Sequence, residues 1–146
     1  MQLINMAFNL DNFVPFQLSS VANQVSRALG AKYEKQYGIS RTQWRIMAVL
    51  AQNSQTGKSI ARKTVMDKSV ISRAVKDLIA KKYVRRIASQ SDGRETLLSL
   101  TPNGKRIAGE ISTIVMQAER DILSKIAPEE RDALMKILIR LSAAQE

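Results

Sequence analysis

DKSVISRAVKDLIAKKYVRR, Asp67–Arg86, is the stretch whose reading decides the fold. Ile71, Ala74, Val75, Leu78 and Ile79 recur at three- and four-residue steps, the apolar stripe of an amphipathic helix, with Asp67 placed to cap its start. Ser69, Ser72, Arg73 and Lys76 repeat at the same steps on the opposite face, so two hydroxyls and two cations share one solvent-facing stripe. A helix lying in a DNA major groove needs that set: Arg or Lys for guanine edges and phosphates, Ser for either. For the two serines the competing reading is plain capping or solvation at a helix start.

Upstream, TGKSIARKTV (Thr56–Val65) reads as a second short helix capped by Thr56, with Ile60, Ala61 and Thr64 facing inward. The few residues around Met66 and Asp67 join it to the first helix, which makes a helix-turn-helix. Downstream, Tyr83–Ala88 is β-prone, SQSDG (Ser89–Gly93) is turn chemistry, and Arg94–Leu100 is rich in Thr and Leu. A β-hairpin directly after a helix-turn-helix is a wing. Arg94 falls at its tip, where a long cation enters the adjacent minor groove, while Asp92 across the turn orients the guanidinium. The fold class is therefore mainly α with a small β-hairpin wing (α+β), a winged helix-turn-helix.

Charge points the same way. Residues 57–106 carry 13 Lys/Arg against 4 Asp/Glu, whereas the other 96 residues of the 146 carry 10 against 9. A solvated basic face would look the same by charge alone. Its concentration on one helix pair and the adjoining hairpin marks a polyanion-binding surface, with nucleic acid as the first partner.

The remaining sequence forms a frame. Asn12–Ala31 reads as a helix through Leu18, Val21, Ala22, Val25 and Leu29. Ser40 and Gln43 form a capping box that opens a helix burying Trp44, Met47, Ala48 and Ala51. Thr101-Pro102 starts a long helix as cap and N1 proline, with the stripe Ile107, Ile111, Ile114, Val115, Ala118, Ile122 and Ile126. Pro128, Glu129 and Glu130 start the last helix, continued by Leu134, Ile137, Leu138 and Leu141. These apolar faces exceed what one small core requires, and they predict an intertwined homodimer rather than a monomer. One domain spans 1–146, with dimerisation helices at 12–31 and 102–146 around a DNA-binding core at 38–101.

Several function classes are excluded. The chain has no Cys and no His, which removes thiol chemistry, the commonest zinc ligand and the usual general base. Its carboxylates are scattered among cations, with no glycine-rich phosphate loop, nucleophile elbow or metal-spaced acidic pair. No enzymatic activity, metal or cofactor is expected. The N-terminal MQLINMAFNL lacks a signal peptide's basic start and long apolar core, and no run approaches 18 apolar residues, so the expected location is the cytoplasm, off the membrane.

The Asp67–Arg86 run, followed by SDGRETLLSLTPNG (Ser91–Gly104), resembles the recognition helix, Asp-x-Arg wing and Leu-Thr-x-x-Gly exit of the MarR family of winged-helix transcription regulators. The resemblance extends back through GISRTQWRIMAVL (Gly38–Leu50) and TGKSIA (Thr56–Ala61). One departure is visible: Lys82 stands where the family usually has Gly, so the helix is expected to stop without a left-handed glycine cap. The resemblance implies a dimeric regulator of a pseudo-palindromic operator in double-stranded DNA, a repressor released by a small molecule. The DNA-binding set is Lys58, Lys68, Ser69, Ser72, Arg73, Lys76, Arg86, Ser91, Asp92 and Arg94. The resemblance also implies an effector pocket between the terminal helices and the winged helix, often taking aromatic acids or related anions. Phe13, Phe16, Trp44 and Met47 would supply its apolar surface, and Arg27, Arg41 and Arg45 its positive charge. The competing reading makes Trp44 and Met47 plain core and the arginines plain surface. The alternative function is a winged-helix architectural or RNA-binding protein without sequence-specific readout.

Overall fold

The computed structural model describes residues 7–88 and 96–145. After a short 3-10 turn (Leu10–Asn12), the helices are α1 (Val14–Tyr37), α2 (Arg41–Gln52), α3 (Gly57–Thr64), α4 (Lys68–Ala80), α5 (Pro102–Leu123) and α6 (Pro128–Ala143). Strands β1 (Gln55–Thr56), β2 (Val84–Ala88) and β3 (Thr96–Leu100) form an antiparallel sheet in the order β1-β3-β2. The hairpin register runs from Val84↔Leu100 to Ala88↔Thr96, and Gln55 pairs with Leu98 on the other edge of β3. The sequence predicts the hairpin but misses β1, because two residues are too short to show a period of two.

Helix α1 starts near the expected position but runs past Ala31 to Gly38, which supplies the left-handed stop at φ 64°. Gly30 is not a stop. It is a buried close approach, where an added Cβ would lie 2.9 Å from the Arg41 side chain. Helix α2 opens with the predicted capping box: Gln43 N–H donates to Ser40 Oγ at 3.1 Å, and Ser40 N–H donates to Gln43 Oε1 at 2.9 Å. Its buried face is Gln43, Ile46, Met47, Val49 and Leu50, whereas Trp44 and Ala48 are half-buried and Ala51 is exposed. The expected phase was rotated because α2 packs against α1, α3, α4, α5 and β3, which buries a wider arc than one seam.

Thr56 caps α3 through Ser59 N–H, with Ile60 and Ala61 buried. Ile71, Val75 and Leu78 of α4 are buried as the stripe predicts. Asp67 occupies the N-cap position of α4, but its side chain makes no capping bond. Two left-handed residues without glycine's freedom bracket α4. Val65 (φ 54°) ends α3, with Met66 N–H bonded to Ala61 O and Val65 N–H to Arg62 O. Lys82 (φ 64°) follows α4, with Tyr83 N–H bonded to Leu78 O and Lys82 N–H to Ile79 O. Both are Schellman closures. The expectation that Lys82 abolishes the left-handed cap is therefore wrong: lysine adopts it, because the two backbone bonds and the wing that follows hold it there.

The base of the wing is fixed to α5. Thr101 N–H donates to Tyr83 O at 3.0 Å, its hydroxyl donates to Lys82 O at 2.7 Å, and the same oxygen accepts Gly104 N–H to cap α5. Ile107, Ile111 and Ala118 of α5 are buried and Ile114, Val115 and Ile122 half-buried; Ile126 lies beyond the helix, in the turn to α6. One core, from Tyr33 and Ile39 through Ile46, Ile60, Ile71, Leu78 and Leu100 to Ile111, unites α1–α5 and the sheet. Helix α6 contributes nothing to it and has no buried residue.

The left-handed conformation costs an L-residue about 1–2 kcal/mol, while glycine gives back about 0.5–1 kcal/mol in unfolded-state entropy. Lys82→Gly should thus stabilise the fold by about 0.5–1 kcal/mol, seen as a higher midpoint in urea at fixed protein concentration. Gly104→Ala should do the opposite. Its Cβ would sit 2.0 Å from the Tyr83 carbonyl oxygen, so backbone must move, at a cost of about 3 kcal/mol or more.

Candidate nucleic-acid interface

Three short elements bring cations to one place. The Thr56 cap fixes the first turn of α3 and with it Lys58; the chain reversal at Val65 brings Lys68 at the start of α4 alongside; Arg86, opposite Leu98, projects from β2. Together with Ser72 and Thr96 these side chains line a cleft of about 260 Å³ whose floor is Ile71, Val75 and Leu98. No carboxylate of the described residues lies within ion-pair distance of the three cations. Three like charges around one apolar-floored cleft give it a positive potential that favours an anion there. Lys58 and Lys68 also flank a neighbouring hollow of about 470 Å³ that includes Arg62, a cation the sequence reading missed. Its signal was present in the i, i+4 spacing of Lys58 and Arg62 on α3.

The remaining predicted residues of α4 lie on its outer face. Arg73 and Lys76 are exposed and line a larger groove of about 560 Å³ that runs between α4 and the N-terminus of α2, with Val70, Ala74, Ser40 and Thr42. Ser69 is exposed on the first turn. Ser91, Asp92 and Arg94 lie outside the described residues. The groove also holds a polar junction that periodicity does not reveal. Gln43, 6% exposed, donates through Nε2 to Asp77 Oδ2 in a short bond, and Lys81 Nζ reaches Asp77 at 3.3 Å, Gln43 Oε1 at 3.4 Å and the Gly38 carbonyl at 2.6 Å. The Gln43 bond first, then Lys81, holds the Asp77 carboxyl below its usual range.

The seven predicted effector residues do not form one site. Arg41 and Arg45 converge on a single hydroxyl, Ser26 Oγ, at 3.4 and 3.1 Å, and Arg41 also pairs with Glu34 at 3.5 Å. Trp44 stacks at a tilt beside Tyr33, ring centroids 6.1 Å apart. Met47, however, is fully buried in the core and offers no surface to a ligand. Phe16 lies ten residues before Ser26, about 15 Å along α1. Phe13 packs edge-on against Phe8 at the same end, and Arg27 is exposed.

Comparison with known proteins agrees with this architecture. The MarR family model matches residues 37–95, from the end of α1 to the residue before β3. Over that stretch the chain is similar to the MarR family of regulators. This is a family of DNA-binding transcription regulators, not enzymes. The HTH-type transcriptional regulator YdgJ of Bacillus subtilis (strain 168) is 29% identical over 121 residues, covering 80% of this chain and 72% of that protein. The crystal structure of a MarR/EmrR family transcriptional regulator from Acinetobacter sp. ADP1 superposes with a TM-score of 0.85 at 27% identity, over 95% of this chain and 100% of that one. BpsR of Bordetella bronchiseptica, whose DNA binding is regulated by 6-hydroxynicotinic acid, shares the fold at a TM-score of 0.82 and 18% identity, over 93% and 97% of the two chains. No helix among the described residues is long and apolar enough to cross a membrane.

The α1–α2 contact makes a measurable prediction. Burial, then the Glu34 charge, pushes the Tyr33 phenol up to about 12, and Arg45 and Arg41 only partly offset the rise. A phenol raised in the folded state stabilises fully below its unfolded value near 10 and loses that contribution as pH climbs toward 12. Absorbance titration near 295 nm should show a late phenolate step that Tyr33→Phe removes.

Proposed function

We propose that this chain is a homodimeric, sequence-specific repressor, with residues 38–101 as the DNA-binding core, α4 as the recognition helix and the terminal helices as the dimerisation frame. The observation that carries the DNA-binding assignment is the convergence of Lys58, Lys68, Ser72 and Arg86 on one cleft beside α4. Arg73 and Lys76 on the same helix are the base- and phosphate-directed cations, and Ser69 and Ser72 the adaptable hydrogen-bonding groups. Arg94, with Ser91 and Asp92, remains the proposed wing-tip reader. Support for the dimer comes from α6, where Leu134, Met135, Ile137, Leu138, Ile139 and Leu141 are all exposed, and from Phe8, Phe13, Val14, Leu18 and Val21 at the start of the chain's helical frame. Exposure on that scale within one chain is the mark of a surface that another chain covers.

In a duplex selected from a random library, Arg73→Ala should cost about 1–3 kcal/mol of operator affinity and relax the preference at one base position. Lys68→Ala and Arg86→Ala should weaken specific and random duplexes alike, and each should reduce the salt slope by about one. Leu134→Glu with Leu138→Glu should yield a folded monomer in sedimentation and abolish tight operator binding. An unaltered dimer, or a wild-type preference for the selected duplex well short of about a thousandfold over random DNA, sinks the reading in favour of an architectural role.

For the signal, the two guanidiniums at Ser26 are the proposed receptor for an aromatic acid or related anion, with Trp44 beside them as the stacking surface. That BpsR responds to a heteroaromatic acid makes 6-hydroxynicotinate and simple aryl carboxylates the first probes. A true effector raises the thermal midpoint of the free protein and lowers operator affinity, because it binds the DNA-incompetent state more tightly. Arg45→Ala should weaken both effects together and leave ligand-free DNA binding intact. If neither effect occurs with any aryl acid tested, the repressor is controlled without such a ligand.

A further inference from the structure

A buried amide known from the sequence only as a capping-box residue also reaches α4. Gln43 is the third residue of α2, where its carbonyl oxygen accepts Ser40 N–H and closes the capping box. The other end of the same amide reaches 34 residues along the chain to Asp77, in the C-terminal half of α4. Lys81 adds a third helix: its ammonium touches Gln43 Oε1, Asp77 Oδ2 and the Gly38 carbonyl that ends α1. The ends of α1, α2 and α4 therefore meet at one side chain. The polarity of that side chain is dictated by its surroundings, an acceptor toward Ser40 and Lys81 and a donor toward the Asp77 carboxylate. Asp77 and Lys81 are solvent-accessible, at 55% and 35% of their side chains, so their ion pair alone is screened and weak. Gln43 is 6% exposed, and an unmatched group there is costly. Arg73 and Lys76 stand on the same turns of α4 and line the same groove as Gln43 and Asp77. Their reach toward a duplex depends on how α4 is rolled about its axis, and the apolar stripe by itself tolerates small rolls better than a directional hydrogen bond does.

We propose that Gln43 is a positioning residue for DNA readout, acting through Asp77 to set the roll of α4 and so where Arg73 and Lys76 point. The proposal rests on the DNA-binding reading above.

Reversing the polarity of the bond tests it. In Gln43→Glu the capping box and the Lys81 contact survive, since glutamate serves the third helical position well, but two carboxylates now oppose each other at Asp77. Asp77→Asn in that background supplies an amide donor to the second glutamate oxygen and restores the bond in the opposite direction. Affinities for a library-selected duplex and for random DNA are measured on the full-length protein, with circular dichroism and sedimentation to fix the folded, assembled fraction. Gln43→Glu should lose about tenfold on the selected duplex with little change on random DNA, and the Gln43→Glu/Asp77→Asn pair should return to within about threefold of wild type. Asp77→Ala, an exposed truncation that leaves the buried amide unmatched, should reproduce the single-variant loss without unfolding the protein. A merely structural role would lower the thermal midpoint and leave the ratio of selected to random affinity untouched, and that result overturns the proposal, as does failure of the double variant to restore the ratio. If wild type itself shows no duplex preference, the DNA reading fails and the positioning role falls with it. A preference in wild type that Gln43→Glu and Asp77→Ala both retain defeats the positioning role alone.

Discussion

The fold turns on how closely the wing approaches the start of α5. The chain leaves α4 through Lys82 and Tyr83 and leaves the sheet at Thr101, whose N–H donates to Tyr83 O at 3.0 Å and whose hydroxyl donates to Lys82 O at 2.7 Å. Gly104 permits this, because any side chain there would occupy the space of the Tyr83 carbonyl. Once that junction is made, the direction of β2 and β3 relative to α4 is settled. Val84, Leu98 and Leu100 then fall on the core, and Arg86, opposite Leu98 on the same face, lies where that face opens to solvent. The motif Leu100-Thr101-Pro102-Asn103-Gly104 is thus a set of packing demands: an inward apolar residue, a cap whose hydroxyl also serves the wing, a proline that needs no donor, and a residue with no Cβ.

Much of this was legible because it is local chemistry. The caps at Ser40, Thr56 and Thr101, the stripe of α4 and the hairpin all follow from residues within a few positions of one another, and each appears where the sequence places it. What was not legible depends on distant partners. The apolar stripe of the first helix reads only as far as Ala31, whereas α1 runs on to Tyr37, where Tyr33 joins the core. Strand β1 exists only because β3 offers an edge. The buried phase of α2 is set by five neighbours, which no single period of 3.6 encodes. Lys82 was read by its propensity, and tertiary bonds overrode it.

The candidate sites divide along the same line. The cations of the basic cleft were found as residues, since charge density and helical spacing are visible in one dimension, but their meeting with Arg86 across the sheet was not. Of the three arginines the sequence offers as positive charge, Arg41 and Arg45 meet at a shared hydroxyl from α1, and Arg27 stands apart on the exposed surface. The pocket that the family resemblance implies groups Met47 and the two phenylalanines with them, whereas within one chain Met47 is buried in the core and the phenylalanines lie at the far end of α1. Gln43 carried a visible local role in its capping box, which hid the second one.

The left-handed residues at either side of α4 have a kinetic side. A glycine at such a position explores both halves of the Ramachandran map and lets the helix that follows swing, whereas valine, branched at Cβ and 90% exposed at the α3–α4 turn, has few alternatives to the conformation it holds. The turn is therefore costly to form and stiff once formed. A β-branched residue at the hinge thus narrows the angles at which α4 can leave α3, and with them the placement of Lys68 relative to Lys58.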